Sequence, residues 1–373
     1  AFDKVKDSMD ARTACEVTKR VIHELKPDWD VQTAPLADGG EGFCEILTHA
    51  ADGELETVEV LGPKLTPQIA NIGFGDLENV PKSVRSSLNL NDFGKLALIE
   101  MAQASGLQSV PHEQRDPWDA STYGTGQLIA HAANKGATAI LLGIGGSATN
   151  DIGLGALEAI GLEFQDKNRQ PLERITPARL EEVMHFCGDV WPHIPPIVIA
   201  CDVSNPLLGP NGCTQIYGPQ KGLVPEDSAK FERAIGTAAK RLCAFFDKPR
   251  TLMAAPGAGA AGGISFGLMT ACDATLTPGF ELVENWLQIA PKVANAQLII
   301  TGEGRFDLSS LSGKGPGTIV FRAATRRKAT LIFAGALERG LELPELCTAK
   351  AVSPENMPLA EALKRGPELL EAA

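Results

Sequence analysis

The sequence has no C-x-x-C pair among its eight cysteines and no H-x-x-x-H pair among its six histidines. Those absences exclude the usual zinc-site spacings and leave histidine-based catalysis without support. The cysteines are scattered, several of them inside apolar runs, so they read as reduced core residues of a cytoplasmic protein. No apolar run approaches the ~18 residues of a spanning helix, and no basic-then-apolar leader opens the chain. Positive charge is in deficit, with 34 Lys and Arg against 46 Asp and Glu and a formal net charge of −12. Nucleic acid and an anionic membrane surface are therefore poor partners, and any anionic ligand must be held by local groups.

What is present is glycine, at tight connections. With 373 residues, 44% hydrophobic content, 38 Gly and 25 Pro, the chain is long enough for two globular α/β domains. The stretch Gly143-Ile144-Gly145-Gly146-Ser147-Ala148-Thr149-Asn150-Asp151 follows an apolar strand at 139–142 and precedes a helical pattern at 152–160. Glycines there allow positive φ and close approach of a ligand to the main chain. Ser147 or Thr149 is placed to cap the helix, whose first amides suit a phosphate or carboxylate. No Gly-Lys-Ser/Thr follows, so this is not a Walker A loop. Gly143-x-Gly145-x-x-Ala148, with Glu163 twenty residues on, also fits a loose dinucleotide fingerprint. Asp151 weakens that reading, because an acid in the first turn repels bare pyrophosphate unless a divalent cation bridges them.

Periodicity predicts helices at 8–25, capped by Ser8, and at 43–50, 123–133 and 225–246. Strands are expected at 31–36, 54–60, 68–74, 95–100, 139–142, 197–201, 297–301 and 330–334. Residues 162–196 are mixed and proline-rich, with little chemistry on view. A second glycine turn, Pro256-Gly257-Ala258-Gly259-Ala260-Ala261-Gly262-Gly263, also opens a helix. The alternation of strands and helices implies parallel sheets with ligands at the carboxyl ends of the strands.

Four apolar strands end in an acid beside glycine: Asp38, Glu100, Asp202 and Glu303. Each alone could be a cap or turn residue. Clustered carboxylates repel, so together they call for a metal, a cationic substrate or a proton, and magnesium carrying nucleotide phosphates satisfies them most simply. Lys221 and Lys314 sit beside glycines, where a side chain can reach a phosphate or simply be solvated. Arg305 could grip a carboxylate bidentately or pair with Glu303. Lys6, next to Asp7 and Ser8, is ambiguous.

These residues carry a resemblance. The matching stretches include Ala37-Asp38-Gly39-Gly40-Glu41-Gly42, Glu100-Met101-Ala102-Gln103-Ala104-Ser105-Gly106-Leu107, Thr122-Tyr123-Gly124-Thr125-Gly126, the turn at 143–151, Cys201-Asp202 with Asn205-Pro206, and Tyr217-Gly218-Pro219-Gln220-Lys221-Gly222. With the second glycine turn and Thr301-Gly302-Glu303-Gly304-Arg305-Phe306-Asp307 they run in order along nearly the whole chain. In this the sequence resembles the type I glycerate kinases, a family of bacterial sugar-acid kinases. Where that family usually has a short strand and Pro-Asp-Ser-Phe-Lys-Gly-Ser, this chain has Phe2-Asp3-Lys4-Val5-Lys6-Asp7-Ser8, keeping Asp3, Lys6 and Ser8. A strand ahead of Ala1 is expected.

The resemblance implies two α/β domains: a discontinuous one of residues 1–65 plus 285–373 with a Rossmann- or flavodoxin-like parallel sheet, and an inserted one of 66–284. It implies ATP- and Mg2+-dependent phosphorylation of D-glycerate in a cleft between them, with 2-phosphoglycerate the favoured product and a homodimer as a candidate assembly. Asp38 and Asp202 become candidates for metal and base, and Lys6, Lys221 and Lys314 for the γ-phosphate. Arg305, Glu303, Tyr123 and Thr125 become candidates for substrate. Gly143, Gly145, Gly146, Ser147, Thr149, Asn150, Gly257, Gly259 and Gly262 become candidates for the nucleotide. A nicotinamide oxidoreductase and a non-catalytic two-lobed binding protein are the competing classes.

Overall fold

The computed structural model describes residues 1–312 and 315–373. The described chain divides into two compact units, Gly39–Gly279 and a discontinuous unit of Ala1–Asp38 with Phe280–Ala373.

The unit Gly39–Gly279 holds nine strands: β1 (Glu54–Leu61), β2 (Pro67–Asp76), β3 (Lys95–Glu100), β4 (Ala139–Gly143), β5 (Leu162–Gln165), β6 (Pro171–Leu172), β7 (His185–Gly188), β8 (Ile197–Ala200) and β9 (Thr275–Thr277). Six form the main sheet in the order β1-β2-β3-β4-β8-β9. From β3 onward the pairs are parallel, while β1, β2 and β3 pair antiparallel. The apolar runs of β4 and β8 are buried along their full length, as parallel strands covered on both faces must be. By contrast β1 alternates partly exposed Glu and Thr with apolar residues at the sheet's edge. The hairpin β1–β2 lies wholly in this unit, so the division falls at Asp38 rather than near residue 65.

The crossover from β3 to β4 contains the helix Tyr123–Asn134, whose glycines are packing positions. A Cβ on Gly126 would come within 2.3 Å of the Ala156 carbonyl oxygen, so that helix meets Leu154–Ala159 backbone to backbone. Ile99, Leu142, Ile199, Leu128, Phe231 and Phe266 belong to one buried core. Burying each such side chain contributes about 1.5–3 kcal/mol.

The region 162–196 supplies a separate antiparallel sheet, β6-β5-β7, with Phe164 edge-on to Phe186 at 5.6 Å. This corrects the dinucleotide reading. Glu163 is exposed on β5 opposite Cys187, on a strand outside the parallel sheet that a ribose-binding acid would have to end.

The discontinuous unit is built on three parallel strands, β10 (Leu298–Phe306), β11 (Ala329–Leu337) and β12 (Cys347–Ala351). Its first helix is Ala11–Leu25, and the cap is Asp10, which accepts from the Thr13 amide at 2.7 Å. Ser8 does not cap it, because its hydroxyl donates instead to the Leu363 carbonyl at 2.7 Å. Residues 31–36 form no strand; Pro35 has no amide to donate to a ladder, and the Leu36 amide bonds to the Phe2 carbonyl at 2.8 Å. β10 continues through Glu303 to Phe306, beyond the expected end at Thr301. Among the described residues, no helix is long and apolar enough to cross a membrane.

Candidate active site

Glu100, Gly143 and Ala200 stand in register at the carboxyl ends of three adjacent parallel strands, β3, β4 and β8. The turn at 39–42 is clamped against them. The buried Glu100 carboxylate accepts from the amides of Gly42 at 3.0 Å and Cys44 at 3.4 Å. The Gly145 amide donates to the Gly39 carbonyl at 3.0 Å. A Cβ on Gly143 would meet that same oxygen at 2.5 Å, and one on Gly145 would meet the Gly40 Cα at 2.5 Å. These glycines bring main chain against main chain, and Glu100 anchors the turn rather than facing an open crevice.

The helix expected to start at 152 begins at Leu154, because Ile152 and Gly153 have φ of 52° and 77°. Ser147 and Thr149 therefore do not cap it. Asp151 does part of that work: fully buried, it accepts from the amides of Gly153 at 3.1 Å and Gly155 at 3.2 Å. It also accepts from the amide and hydroxyl of Thr122, each at 2.8 Å. Burial pushes its carboxyl above the ordinary range, and these four donors pull it back. Asp151 is thus a structural anchor and does not stand in the way of a phosphate. Gly146 forms the exposed tip of the turn, at φ +72°. Among the described residues, the Gly146 and Ser147 amides have no hydrogen-bond acceptor. Two adjacent free amides beside a positive-φ glycine are the elements of an anion nest.

Thr149 and Asn150 lie below that tip, fully buried. The second glycine turn presses on them. A Cβ on Gly262 would come within 2.1 Å of the Thr149 carbonyl oxygen, and the Ile152 amide bonds to the Gly262 carbonyl at 3.0 Å. Ala261, Gly262 and Gly263 all have positive φ, a conformation that makes this interlock and delays the helix behind it. Gly259 seats against the Pro206 carbonyl, and its amide bonds to the Asn205 carbonyl at 2.9 Å. Gly257, Gly259 and Gly262 are all buried, so their role is to fasten the loops around 143–151 and 201–211 to one another.

Lys221 is 2% exposed, and its ammonium donates to Ser147 Oγ at 2.9 Å and to the Thr149 carbonyl at 2.6 Å. It does not extend into solvent as a side chain reaching for a phosphate would. Burial pulls its pKa down to about 8, against the opposing pull of Cys213 and Asp151. Asp202 lies two residues past the end of β8, after Cys201, and is half-buried. Thr125 is buried with its hydroxyl 2.8 Å from Ser105 Oγ, and the Tyr123 ring lies 4.0 Å beneath the Arg174 guanidinium. The Thr125 hydroxyl is thus engaged inside the fold, while Tyr123 is half-buried with its ring face, not its hydroxyl, against Arg174.

In the discontinuous unit, Phe2 bridges to Gly302 in parallel fashion and the Asp3 amide donates to the Gly302 carbonyl at 3.0 Å. The retained Asp3 is thereby carried alongside Glu303. Burial, with Asp3 and Asp307 nearby, pushes the Glu303 carboxyl up to about 7, and the Ser310 hydroxyl opposes the shift. Arg305 is exposed and pairs with Asp307 at 3.3 Å rather than with Glu303. Lys6 and Asp38 are exposed. Lys314 lies outside the described residues.

Sequence reasoning missed the buried polar set that supports the turn, namely Ser105, Thr122 and Cys213, which bond to Ala148, Asp151 and Asn150. Polar residues embedded in otherwise apolar or glycine-rich stretches were the available signal.

The whole chain, residues 1–373, matches the model of the Glycerate kinase family. A protein named glycerate kinase from Halalkalibacterium halodurans is 36% identical over 379 residues, which cover 100% of this chain and 95% of that protein. The glycerate 2-kinase of Escherichia coli is 35% identical over 347 residues, covering 90% of this chain and 84% of that one. The solved structure of a putative glycerate kinase 2 from Salmonella typhimurium LT2 superposes with a TM-score of 0.77 at 33% identity, over 99% of this chain and 93% of that one. The chain belongs to the glycerate kinase family.

Proposed function

We propose that this protein transfers the γ-phosphoryl group of ATP, carried with magnesium, to the 2-hydroxyl of D-glycerate in the cytoplasm, releasing ADP and 2-phosphoglycerate. The hydroxyl oxygen forms a bond to the γ-phosphorus as the bond from that phosphorus to the β,γ-bridging oxygen breaks, and the hydroxyl proton passes to a carboxylate. Such a reaction asks a protein for positioning and charge neutralisation more than for covalent chemistry.

The observation that carries the reading is the exposed tip at Gly146, with the Gly146 and Ser147 amides unbonded and the turn beneath held by Gly39, Lys221 and Gly262. This is where nucleotide phosphate oxygens fit. Among the described residues, no three His, Cys, Asp or Glu side chains are gathered to hold a metal. Magnesium would therefore share its shell with phosphate oxygens and water, needing one or two carboxylates. Asp202, half-buried just past the end of β8, suits that role, with Asp38 as the second candidate. When bound, the ion would neutralise phosphate charge. Asp38 or Asp202 would take the proton, Arg305 would hold the glycerate carboxylate, and Glu303, near neutrality in its titration, would hydrogen-bond to the substrate. Lys6 and Lys314 are proposed for the phosphates.

ADP release coupled to a reporter enzyme tests this. Release that requires D-glycerate and magnesium together and stops on chelation supports the assignment; release independent of D-glycerate counts against it.

A further inference from the structure

Resting on the reading that the 143–151 turn receives nucleotide phosphates, we propose that Lys221 is a positioning residue. It holds that turn from beneath through Ser147 and Thr149 and does not itself touch the nucleotide.

Three observations carry this. The side chain is fixed before it reaches the turn: it ends the short helix Pro219–Lys221, and Gly222 behind it has φ +95° with its Cβ position 2.0 Å from the Arg115 carbonyl oxygen. Its ammonium is inside the unit, and both its hydrogen-bond acceptors, Ser147 and Thr149, belong to the turn. Finally, the two bonds act on the groups that decide what the tip presents. The peptide unit is planar, so drawing the Thr149 carbonyl toward Nζ turns the Asn150 amide to the opposite side. A hydroxyl that accepts from an ammonium keeps its own hydrogen to donate, so Ser147 is left poised as a donor at the edge of the nest. Gly262 also packs against the Thr149 carbonyl, so closely that a Cβ there would lie 2.1 Å from the oxygen.

Lys221→Met removes a desolvated charge but leaves the buried Thr149 carbonyl and Ser147 hydroxyl without their donor, so its melting temperature is expected to fall. At a temperature where the variant is fully folded, its KM for ATP should rise by about tenfold or more, because the turn loses its fixed orientation, with a much smaller change for D-glycerate. A lysine that merely supported the fold would lower the melting temperature and leave the ATP KM of the folded variant unchanged. Ser147→Ala removes one acceptor while keeping the ammonium, and should raise the ATP KM by a smaller factor. In the double variant the two effects should be less than additive. Wild-type ATP and D-glycerate kinetics for both variants would overturn the proposal, as would a rise confined to the D-glycerate KM. Should Lys221→Met not fold, Ser147→Ala with wild-type ATP kinetics would still overturn it. A wild-type enzyme that does not use ATP contradicts the underlying reading instead, so the two failures are distinguishable.

Discussion

Gly262 and the Thr149 carbonyl oxygen are so close that a Cβ on the glycine would lie 2.1 Å from that atom. Gly146 also has positive φ, at +72°, but the nearest atom to its Cβ position is 3.6 Å away. The two therefore separate collision from conformational strain. Gly262→Ala should cost about 3 kcal/mol or more, since backbone must move. Gly146→Ala should cost only the left-handed strain of about 1–2 kcal/mol. Chemical denaturation of both variants checks the order, and equal losses would contradict the packing role.

Asp151 gives a second test. Asn in its place keeps the size but turns one acceptor oxygen into a donor facing amides. With four bonds accepted by a fully buried carboxylate, Asp151→Asn should lose about 2–4 kcal/mol. For a unit of this size each kcal/mol lowers the melting temperature by about 2–4 °C. A melting temperature equal to that of the wild type would show that the acid faces something other than Thr122 and the helix start.

The raised titration of Glu303 fixes the sign of a pH effect. Its ordinary value is 4.5 and its folded value about 7. Between those values the native state holds a proton that the unfolded chain has released, so its contribution is full below about 4.5 and is lost as pH rises through about 7. The stability difference between wild type and Glu303→Gln should therefore fall across that window. A flat difference would mean that Glu303 is ionised throughout.

Arg305 pairs with Asp307 at an exposed position, with 72% of its side chain accessible. Exposed pairs contribute little to stability, so Arg305→Ala should leave the melting temperature nearly unchanged. If Arg305 grips the glycerate carboxylate, the KM for D-glycerate should rise by roughly 10-fold or more, the loss of a bidentate charge-assisted contact, and well beyond any change in the ATP KM. Steady-state kinetics with each substrate varied in turn decides this.

The central strands β3, β4 and β8 of the larger unit were legible because they are continuous apolar runs with glycine-marked turns, whereas the three-residue edge strand β9, Thr275–Thr277, was not. What those glycines do was not legible. Gly143 and Gly262 resemble ligand-binding glycines in sequence, yet Gly143 packs on the Gly39 carbonyl and Gly262 on the Thr149 carbonyl, each more than 100 residues away. Lys221 beside glycine looked like a solvent-reaching cation, and only tertiary packing reveals that it points inward. Residues 31–36 read as a strand, but Pro35 has no amide to give to a ladder and the segment stays irregular. In β10 the reverse happened: Gly302 and Gly304 suggested a turn, but Gly302 lies in the ladder opposite Phe333, so close that a Cβ there would fall 1.8 Å from the Phe333 carbonyl oxygen. β12 went unseen, since Cys-Thr-Ala-Lys-Ala at a sheet edge carries almost no hydrophobic signature.

The most direct measurement is phosphorus NMR of the reaction with D-glycerate, ATP and magnesium. The account predicts that the γ-phosphate signal of ATP is replaced by that of 2-phosphoglycerate, in step with ADP. A spectrum showing 3-phosphoglycerate would contradict the assigned hydroxyl, and one showing only inorganic phosphate would contradict phosphoryl transfer to glycerate.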